Sequence, residues 1–462
     1  MVGANSPEES LRAAGASIEE APEASPEYSD DAIALAFSAH HAEHLLYVPE
    51  WGRWLQWDGV RWVADTVLAV HDLVRRACRK AAARALEAAN PRERWSIAGL
   101  ASAQKVAAVE RLVRSDRRHA QASDQFDADP WLLNTPGGVV DLQDGRTRPH
   151  RPADLFTKVT ATAPVQGCPL WLAFINEITQ GDAGAATYLQ CWCGYALTGL
   201  VREHAFLFLY GPGGNGKSVL LNTLAAVMGD YATVADMDLF TATHGHQHPT
   251  GLADLRGARL VVAQETEADK PLAEARVKAL TGGDRIKARF MGRDFFAFQP
   301  AFKLIMAGNH RPVLRNPDDA MRRRLHLLPL THRPAQPNPD LPDLLRNEMP
   351  GILAWAIEGC LLWQMHGLGM PLVAKEATAD YFAEQDLLAR WLAERCEDRP
   401  SATTLSSVLY RDWSQWATER GEQAGTQKAF SGTLERYRAK KRTNEGVVFI
   451  GIKLKPSLGG VL

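Results

Sequence analysis

One short segment brings together the residue types that hold a chain of phosphates. The segment from Gly211 to Ser218 reads GPGGNGKS, follows the apolar run FLFLY and leads into the helix-like sequence VLLNTLAAVMG. Glycines let backbone N–H groups turn toward phosphate oxygens, lysine supplies a point charge, and a serine hydroxyl binds Mg²⁺. This complete Walker A motif predicts a site for ATP or another nucleoside triphosphate with Mg²⁺. Its predicted contacts are Gly211, Pro212, Gly213, Gly214, Asn215, Gly216, Lys217, Ser218 and Val219.

Two carboxylates after a second apolar run are predicted to act on the bound phosphates. Glu265 comes directly after the run LVVAQ, and Glu267 stands two residues later. This spacing places both side chains on one side of the strand if the strand continues. One of them can hold Mg²⁺ through water and polarise the attacking water. We predict Lys217, Glu265 and Glu267 as catalytic and assign Ser218 and Glu265 to the metal. Two solvated acids at a strand end are the alternative.

A basic hairpin is predicted after the carboxylates. Ile286 to Phe290 and Phe295 to Phe298 have the pattern of two strands, joined by Met291 to Asp294. A further apolar run then precedes Asn309, and Arg322 to Arg324 follow soon after. Phosphate-binding loops of this kind also occur in kinases and GTPases, so the downstream order of motifs decides the class.

The order of these motifs resembles that of superfamily 3 helicases of the phage and plasmid primase-helicase type, and the poxvirus primase-helicases are similar. By this resemblance Asn309 is a polar sensor and Arg324 is the arginine finger, with Arg323 as the second candidate. A finger that acts on a neighbouring subunit implies a homo-oligomeric ring, and a hexamer is expected. The arginines could instead form a solvated basic turn. Superfamily 3 members often carry two adjacent acids where this chain has Gln264-Glu265, which leaves the roles of the two glutamates open.

The resemblance also assigns DNA contacts to the hairpin. In the family a lysine-bearing TGGD motif leads to a hairpin that lines a central channel, and movement along DNA is 3′ to 5′. The residues thereby implicated in gripping DNA are Lys278, Lys287, Arg289 and Arg293. Lys278 could equally order the active site.

The C-terminal part of the chain is basic. From Thr404 to Lys455 it has ten bases and five acids, whereas the first 31 residues have eight acids and one base. Helix-like sequence followed by the strand-like VVFIGIKL resembles a winged helix that contacts DNA phosphates. A solvated basic helix is the alternative. The predicted contacts, which we place on one helix before Arg442, are Lys428, Arg436, Arg438, Lys440 and Lys441.

Upstream segments extend the resemblance to nearly the whole chain after about Asp31. WDGVRW, FDADPWLLNTPGGVVDLQDGRTRPH and YLQCWCGYALTG look like the N-terminal domain of phage primase-helicases. Asp127 and Asp129 superficially match metal-binding carboxylates of primases, but the family places them in a structural segment. The N-terminal length is too short for a primase domain, so we expect a separate primase as a partner. Tryptophans around Asp58-Gly59 are predicted to form a mini-core between two short strands.

Composition indicates a globular protein of the bacterial cytoplasm, without a membrane partner. The net charge of −2 makes local basic patches the expected source of DNA binding. Six scattered cysteines lack metal-ligand spacing and are expected to be buried thiols in a reducing compartment. No apolar run approaches the roughly 18 residues that span a bilayer. The tract THGHQHPT could bind a metal through His244, His246 and His248, but its glycine and proline favour a loop.

We therefore expect an α/β protein with a P-loop AAA+-like ATPase core, an α+β N-terminal domain and a C-terminal winged-helix domain. The expected function is ATP-driven DNA unwinding in the replication of a phage, prophage or plasmid element. The alternative is an initiator or loader that closes on DNA without processive unwinding, and a small-molecule kinase is more distant. The expected segments are a disordered acidic head (1–31), the N-terminal domain (32–185), the ATPase core (186–331), a helical extension (332–398) and the winged helix (399–462).

Overall fold

The computed structural model of this chain describes residues 25–88, 97–242, 250–264, 270–292, 294–314 and 318–456. The chain forms two compact units. The first is Met1–Pro164 together with Gly229–Tyr231, and the second is Val165–Met228 together with Ala232–Leu462. The five segments expected from the sequence stay a prediction.

The described part of the first unit combines helices with two small antiparallel sheets. Helix α1 begins after Ser29, whose hydroxyl accepts the Ala32 N–H at 3.1 Å, and serine caps of this kind stabilise a helix start. Sheet order is β1-β2-β3 in one sheet and β4-β5-β6 in the other. The elements are α1 (Asp30–His41), β1 (Leu45–Val48), β2 (Arg53–Trp57), β3 (Trp62–Ala64), α2 (Ala69–Ala88), α3 (Ala103–Ser115), β4 (Leu132–Thr135), β5 (Gly138–Asp141) and β6 (Thr147–Arg148).

The tryptophan hairpin of this unit matches the prediction. Strands β2 and β3 pair antiparallel with Trp57 opposite Trp62. Trp62 is buried with Leu55 and Phe126 in a small core, while Trp54 belongs to a second core that includes the helices. Most of this aromatic surface therefore packs inside the unit.

The second unit is built around a five-stranded parallel sheet of order β13-β7-β12-β9-β8. Strands β7, β9 and β12 are nearly continuous apolar runs because both faces of a parallel sheet are covered, and all three were predicted. Strands β10 and β11 form a separate antiparallel hairpin. The strands are β7 (Phe206–Tyr210), β8 (Ala232–Asp236), β9 (Leu260–Gln264), β10 (Ile286–Ala288), β11 (Phe296–Phe298), β12 (Lys303–Gly308) and β13 (Leu325–Pro329).

Helices cover this sheet and continue beyond it. Helices α5 and α11 approach closely, since a Cβ built on Gly194 would lie 2.0 Å from the Cys360 nitrogen. The connection after β13 leads into α10. The helices are α4 (Pro169–Ile178), α5 (Ala183–Leu197), α6 (Lys217–Met228), α7 (Thr250–Ala253), α8 (Glu274–Gly282), α9 (Asp319–Arg324), α10 (Leu341–Asn347), α11 (Met349–His366), α12 (Leu372–Gln385) and α13 (Leu387–Arg395).

The C-terminal elements correct one expectation about the basic residues. The elements are β14 (Cys396–Leu405), α14 (Ser406–Glu419), α15 (Gln427–Leu434), β15 (Lys440–Thr443) and β16 (Gly446–Leu454). The predicted single basic helix was wrong, because α15 ends at Leu434 and the bases from Lys440 to Arg442 lie in β15. Pairing of β15 with β16 provides hydrogen bonds for the backbone N–H and C=O groups of β15. The extended strand also points neighbouring basic side chains to opposite faces.

All six cysteines are buried and free, as expected. Burial raises the pKa of the Cys168 thiol to about 11 and that of the Cys360 thiol to about 12. Within the described ranges, the helices include none with the length and apolarity to cross a membrane.

Candidate nucleotide and nucleic-acid site

The parallel sheet brings the predicted nucleotide residues together at the carboxyl ends of its strands. Tyr210, which ends β7, pairs with Gly308 of β12 and Pro329 of β13. Gln264, which ends β9, pairs with Ala307 of β12. Because the carboxyl ends of these strands meet, the loop from Gly211, Asn309 and the residues after β13 share this edge, where open α/β sheets bind ligands. Asn309 is exposed directly after β12, between the other two strand ends.

The loop between β7 and α6 has the form of a phosphate cradle. Gly211, Gly214 and Gly216 have φ values of 148°, 79° and 84°, a region that L side chains avoid. A Cβ built on Gly211 would lie 2.1 Å from the Leu330 carbonyl oxygen, whereas one built on Gly213 or Gly214 would meet nothing within 4 Å. The loop is thus packed at its base and open at its crest, with the N-terminus of α6 behind it.

Lys217, the first residue of α6, is held inside this loop. Its Nζ donates to the Gly211 carbonyl at 2.6 Å and to Asn215 Oδ1 at 2.8 Å. The other end of the Asn215 amide donates to the carbonyl of Leu330. Burial and the nearby positive charge of Arg333 lower the pKa of Lys217. Phosphate oxygens would replace these loop carbonyls as stronger acceptors for the lysine.

Arg333 was missed by sequence reasoning. It is exposed and lies four residues after the end of β13, the strand next to β7. From there its charge acts on Lys217. Its position after β13 was the signal that could have identified it. Because β13 pairs with β7, residues that follow β13 come near the phosphate loop that follows β7. Two cations that act on each other at one cradle favour an anionic ligand.

The end of β9 lies against the start of α6. Ser218 Oγ donates to Gln264 Oε1 at 2.7 Å, and Gln264 Nε2 donates to Asn222 Oδ1 at 3.1 Å. Hydroxyl and amide oxygens are ligands that hard cations such as Mg²⁺ accept, directly or through water, so the residues present fit this ion. Glu265 and Glu267 lie outside the described residues. Of the residues that are described, no group of three His, Cys, Asp or Glu side chains could hold a metal. His244, His246 and His248 also lie outside them.

The three arginines of α9 have different surroundings. Arg322 lies over the ring of Phe382 at 5.0 Å, and Arg324 donates from Nη1 to the Ala320 carbonyl at 3.0 Å. Arg323 is exposed. All three precede β13, so they lie at the opposite end of this strand from the phosphate loop. The strand alone spans four residue steps of about 3.3 Å, so the arginines lie at least roughly 13 Å from the loop.

Lys278 is engaged within the chain. Its Nζ forms an ion pair with Asp318 at 2.7 Å, and Asp318 caps α9 by accepting the Met321 N–H at 2.8 Å. Although burial raises the pKa of Asp318, hydrogen bonds from Lys278 and the Met321 backbone lower it overall. This geometry supports the ordering role considered for Lys278 rather than a DNA contact.

The hairpin presents cations together with aromatic rings. Lys287 Nζ and the Arg289 guanidinium lie 4.7 Å and 5.0 Å from the centre of the Phe295 ring. Phe290 is stacked on Phe296, and Phe295 and Met291 are exposed at 51% and 78%. Arg293 lies outside the described residues. Such a surface can contact both phosphates and unstacked bases.

The C-terminal cations fall into two groups. Arg438 pairs with Asp398 and Lys440 with Glu435, so both are used within the domain. Lys428, Arg436 and Lys441 are exposed, as is Arg442. The exposed group is the part of the predicted set that remains available to a polyanion.

Asp127 has a structural role in the first unit. Its carboxylate accepts the Thr157 N–H at 3.0 Å and the Thr157 hydroxyl, and its own φ is 51°. Asp129 accepts the Trp131 N–H at 2.8 Å. Both carboxylates therefore organise turns, as the resemblance implied.

Two family models match parts of the chain. The model described as "D5 N terminal like" matches residues 34–180. A family of unknown function, DUF5906, matches residues 209–324, the range that holds the phosphate loop, the hairpin and α9.

Relatives and a solved structure agree with these matches. A protein of Acanthamoeba polyphaga mimivirus named as a helicase, L207/L206, is 24% identical over 63% of this chain and 33% of its own length. A protein of Frog virus 3 named as a helicase, 022R, is 25% identical over 66% of this chain and 32% of its own. One of African swine fever virus, C962R, named as a primase, is 25% identical over 62% and 34%. This chain thus spans about a third of the length of these curated relatives.

The apo structure of the NrS-1 C-terminal region shares the fold. Its TM-score is 0.50 at 10% identity, over 92% of this chain and 100% of that one. These comparisons confirm the resemblance inferred from the motifs: the chain is similar to superfamily 3 helicases of the phage and plasmid primase-helicase type, and residues 34–180 match the model described as "D5 N terminal like".

Proposed function

We propose that this chain is an ATP-dependent DNA helicase that assembles into a homo-oligomeric ring, with a hexamer expected. The observation that carries the proposal is one sheet edge that gathers the open phosphate cradle, the buried Lys217, the Ser218–Gln264 pair and Asn309. The family match supports the coupling of this ATPase to DNA. Replication of a phage, prophage or plasmid element, with a separate primase, is the proposed setting.

Each residue of the cradle has a proposed task in hydrolysis. The N–H groups of the open crest and Lys217 hold the β- and γ-phosphates, and Ser218 contributes its hydroxyl to the magnesium site. Mg²⁺ would neutralise charge that develops on the phosphates. Glu265 and Glu267 are proposed to orient the attacking water, and Asn309 is proposed to hydrogen-bond the γ-phosphate. Bound phosphates would oppose the lowering of the Lys217 pKa, because negative charge beside the lysine favours its protonated form.

The arginines of α9 are proposed to act on the ATP of a neighbouring subunit. They directly precede β13. The other end of β13 reaches the cradle of the same chain, at least roughly 13 Å away by strand geometry. An extended arginine side chain cannot cover that distance and keep hydrogen-bond contact. The exposed Arg323 is the proposed finger, in preference to Arg324, which donates within its own helix.

DNA contacts are proposed at two places. The hairpin offers Lys287, Arg289 and Phe295, with Lys278 assigned to ordering α9 instead. The C-terminal elements from α13 to β16 follow the order of a winged helix, whose exposed cations Lys428, Arg436 and Lys441 are proposed phosphate contacts. The central sheet order, with β7 between β13 and β12, supports an AAA+-like core.

Strand displacement from a forked DNA duplex tests the proposal. Wild type should separate the strands with ATP and Mg²⁺, and Lys217→Ala should not, because it removes the cation at the phosphates. Hydrolysis measured in the same tubes provides the second readout. ATP hydrolysis stimulated by DNA but without any strand separation would reject unwinding in favour of an initiator or loader, and hydrolysis indifferent to DNA would reject both.

A further inference from the structure

We propose that Gln264 provides a neutral amide oxygen to the magnesium site and that Asn222 is the positioning residue that aims this oxygen. This inference rests on the proposed function, because it concerns the metal that accompanies the nucleotide. It also goes further, since it fixes the charge of one side chain at the site and predicts how the metal affinity responds to that charge.

The geometry gives the Gln264 amide one orientation. Its Oε1 accepts from Ser218 Oγ at 2.7 Å, and its Nε2 donates to Asn222 Oδ1 at 3.1 Å. When Ser218 Oγ binds the metal through a lone pair, its hydroxyl proton still needs an acceptor, and a Gln264 amide rotated by half a turn would face its donor NH₂ toward that proton. Both contacts therefore favour an oxygen beside the hydroxyl that binds the metal.

The helix α6 supplies both partners of this amide from one face. Ser218 and Asn222 are four residues apart, one helical turn, and so lie side by side. Gln264 stands at the last position of β9, opposite Ala307 of β12, which fixes its backbone at the sheet edge. Thus the Ser218 hydroxyl, the Gln264 amide and the Asn222 amide form a chain of hydrogen bonds that starts beside the phosphate loop.

The neutral charge of this group has a measurable consequence. P-loop NTPases generally hold Mg²⁺ with the loop hydroxyl and a carboxylate from a strand end. Here the strand-end side chain in contact with that hydroxyl is an amide, which can accept from a metal-bound water but adds no negative charge. A carboxylate introduced at this position should consequently add a negative charge beside the metal and strengthen its binding.

The test is a Mg²⁺ titration of the full chain in the presence of a fluorescent, non-hydrolysable ATP analogue. The variants are Gln264→Glu, Gln264→Leu and Asn222→Ala, and Gln415→Glu, an exposed glutamine of α14, is the matched control. The measured quantity is the Mg²⁺ concentration that gives half of the full increase in nucleotide affinity. Affinity in EDTA is recorded for each protein, because a general loss of loop structure would change it and a change confined to the metal would not.

Opposite shifts are expected. Gln264→Glu should lower the half-saturating Mg²⁺ concentration, and Gln264→Leu and Asn222→Ala should raise it. Loss of groups that orient metal ligands typically costs ~10–100-fold in metal affinity, and shifts toward the lower end are expected because the nucleotide also holds the metal. Gln415→Glu should match wild type. If all variants share the wild-type midpoint while nucleotide still binds, the inference is wrong and the proposed function stands. If wild type binds no nucleotide at any Mg²⁺ concentration, the proposed function itself fails.

Discussion

Three consecutive arginines carry the same charge but differ in what they can reach. Arg322 is stacked on Phe382, and Arg324 is half-buried with its guanidinium bonded to the Ala320 carbonyl. Arg322 and Arg323 are both exposed, but Arg322 lies over the Phe382 ring, so Arg323 can enter a neighbouring site without giving up such a contact. The sequence favoured Arg324 because it immediately precedes the strand, and burial is a property that this position alone could not reveal.

The prediction at this scale compares alanine substitutions at the two positions. Arg323→Ala should lower kcat for DNA-stimulated ATP hydrolysis by roughly 10³-fold or more, as loss of an arginine finger does, with little change in nucleotide affinity. Arg324→Ala should instead cost about 1 kcal/mol of stability, since it removes a half-buried stem and a hydrogen bond. Steady-state hydrolysis and thermal unfolding of both proteins separate these effects.

A control variant shows whether these effects are specific to Arg323 and Arg324. Arg76→Ala removes an exposed arginine of α2 whose pairing with Asp72 is on the surface, and it should leave both quantities near wild type. The finger assignment would move back to Arg324 if Arg324→Ala abolished hydrolysis while Arg323→Ala behaved like Arg76→Ala.

At the scale of elements, the sequence was most informative where local chemistry and burial agree. FLFLY followed by glycines and a helix is a strand, loop and helix in any context, and β7 and α6 have the expected positions. The basic stretch from Arg436 to Arg442 was different, since its residues suit a helix in isolation. Pairing with β16 turned its last part into a strand, and that partner is a tertiary feature without a local signal.

Lys278 shows the same limit for side chains. Its place before the hairpin suggested a DNA contact, but Asp318, forty residues later in the chain, pairs with it and caps the arginine helix. A contact across that separation follows from how α8 and α9 pack. Local spacing could place the lysine on a helix but could not choose its partner.

The hairpin prediction isolates the cations that face Phe295. Lys287→Ala combined with Arg289→Ala should reduce DNA stimulation of hydrolysis and flatten the dependence of DNA affinity on salt, by a slope of up to roughly 1 per lost phosphate contact. Hydrolysis without DNA should stay close to wild type because the ring contacts of both side chains lie within the hairpin. Fluorescence anisotropy with single-stranded DNA at several salt concentrations measures the slope.

Lys375→Ala is the control for that experiment, because it removes an exposed lysine on α12 outside the hairpin. An equal loss of DNA affinity in Lys375→Ala would mean that binding responds to net charge and that the hairpin has no special part. Full DNA stimulation in the double variant would remove the hairpin from the proposed contact set.

At the scale of the whole molecule, the proposed arginine finger lies too far along β13 to serve the phosphate cradle of its own chain. The cradle lies at the carboxyl end of β7, and α9 lies at the amino end of the adjacent β13. The proposed finger of each chain therefore cannot reach the cradle of the same chain. The proposed ring would provide the missing contact, because every cradle would face the finger of the next subunit.

This arrangement predicts complementation between two inactive proteins. Lys217→Ala lacks a working cradle but keeps its finger, and Arg323→Ala keeps its cradle but lacks the finger. In an equimolar mixture that assembles at random, about a quarter of the interfaces join an intact cradle to an intact finger. ATP hydrolysis should rise to about that fraction of the wild-type rate, whereas each protein alone stays near zero.

A mixture of Lys217→Ala with the double variant Lys217→Ala/Arg323→Ala contains no intact cradle and should remain inactive at every ratio, which excludes assembly as the source of recovery. Strand displacement should recover less than hydrolysis in the productive mixture, because a ring that moves DNA by successive hairpin steps stalls at its incomplete interfaces. If hydrolysis did not recover at any ratio although mixed rings form, the finger would have to act within its own subunit, and β13 would have to bend to bring α9 to the cradle.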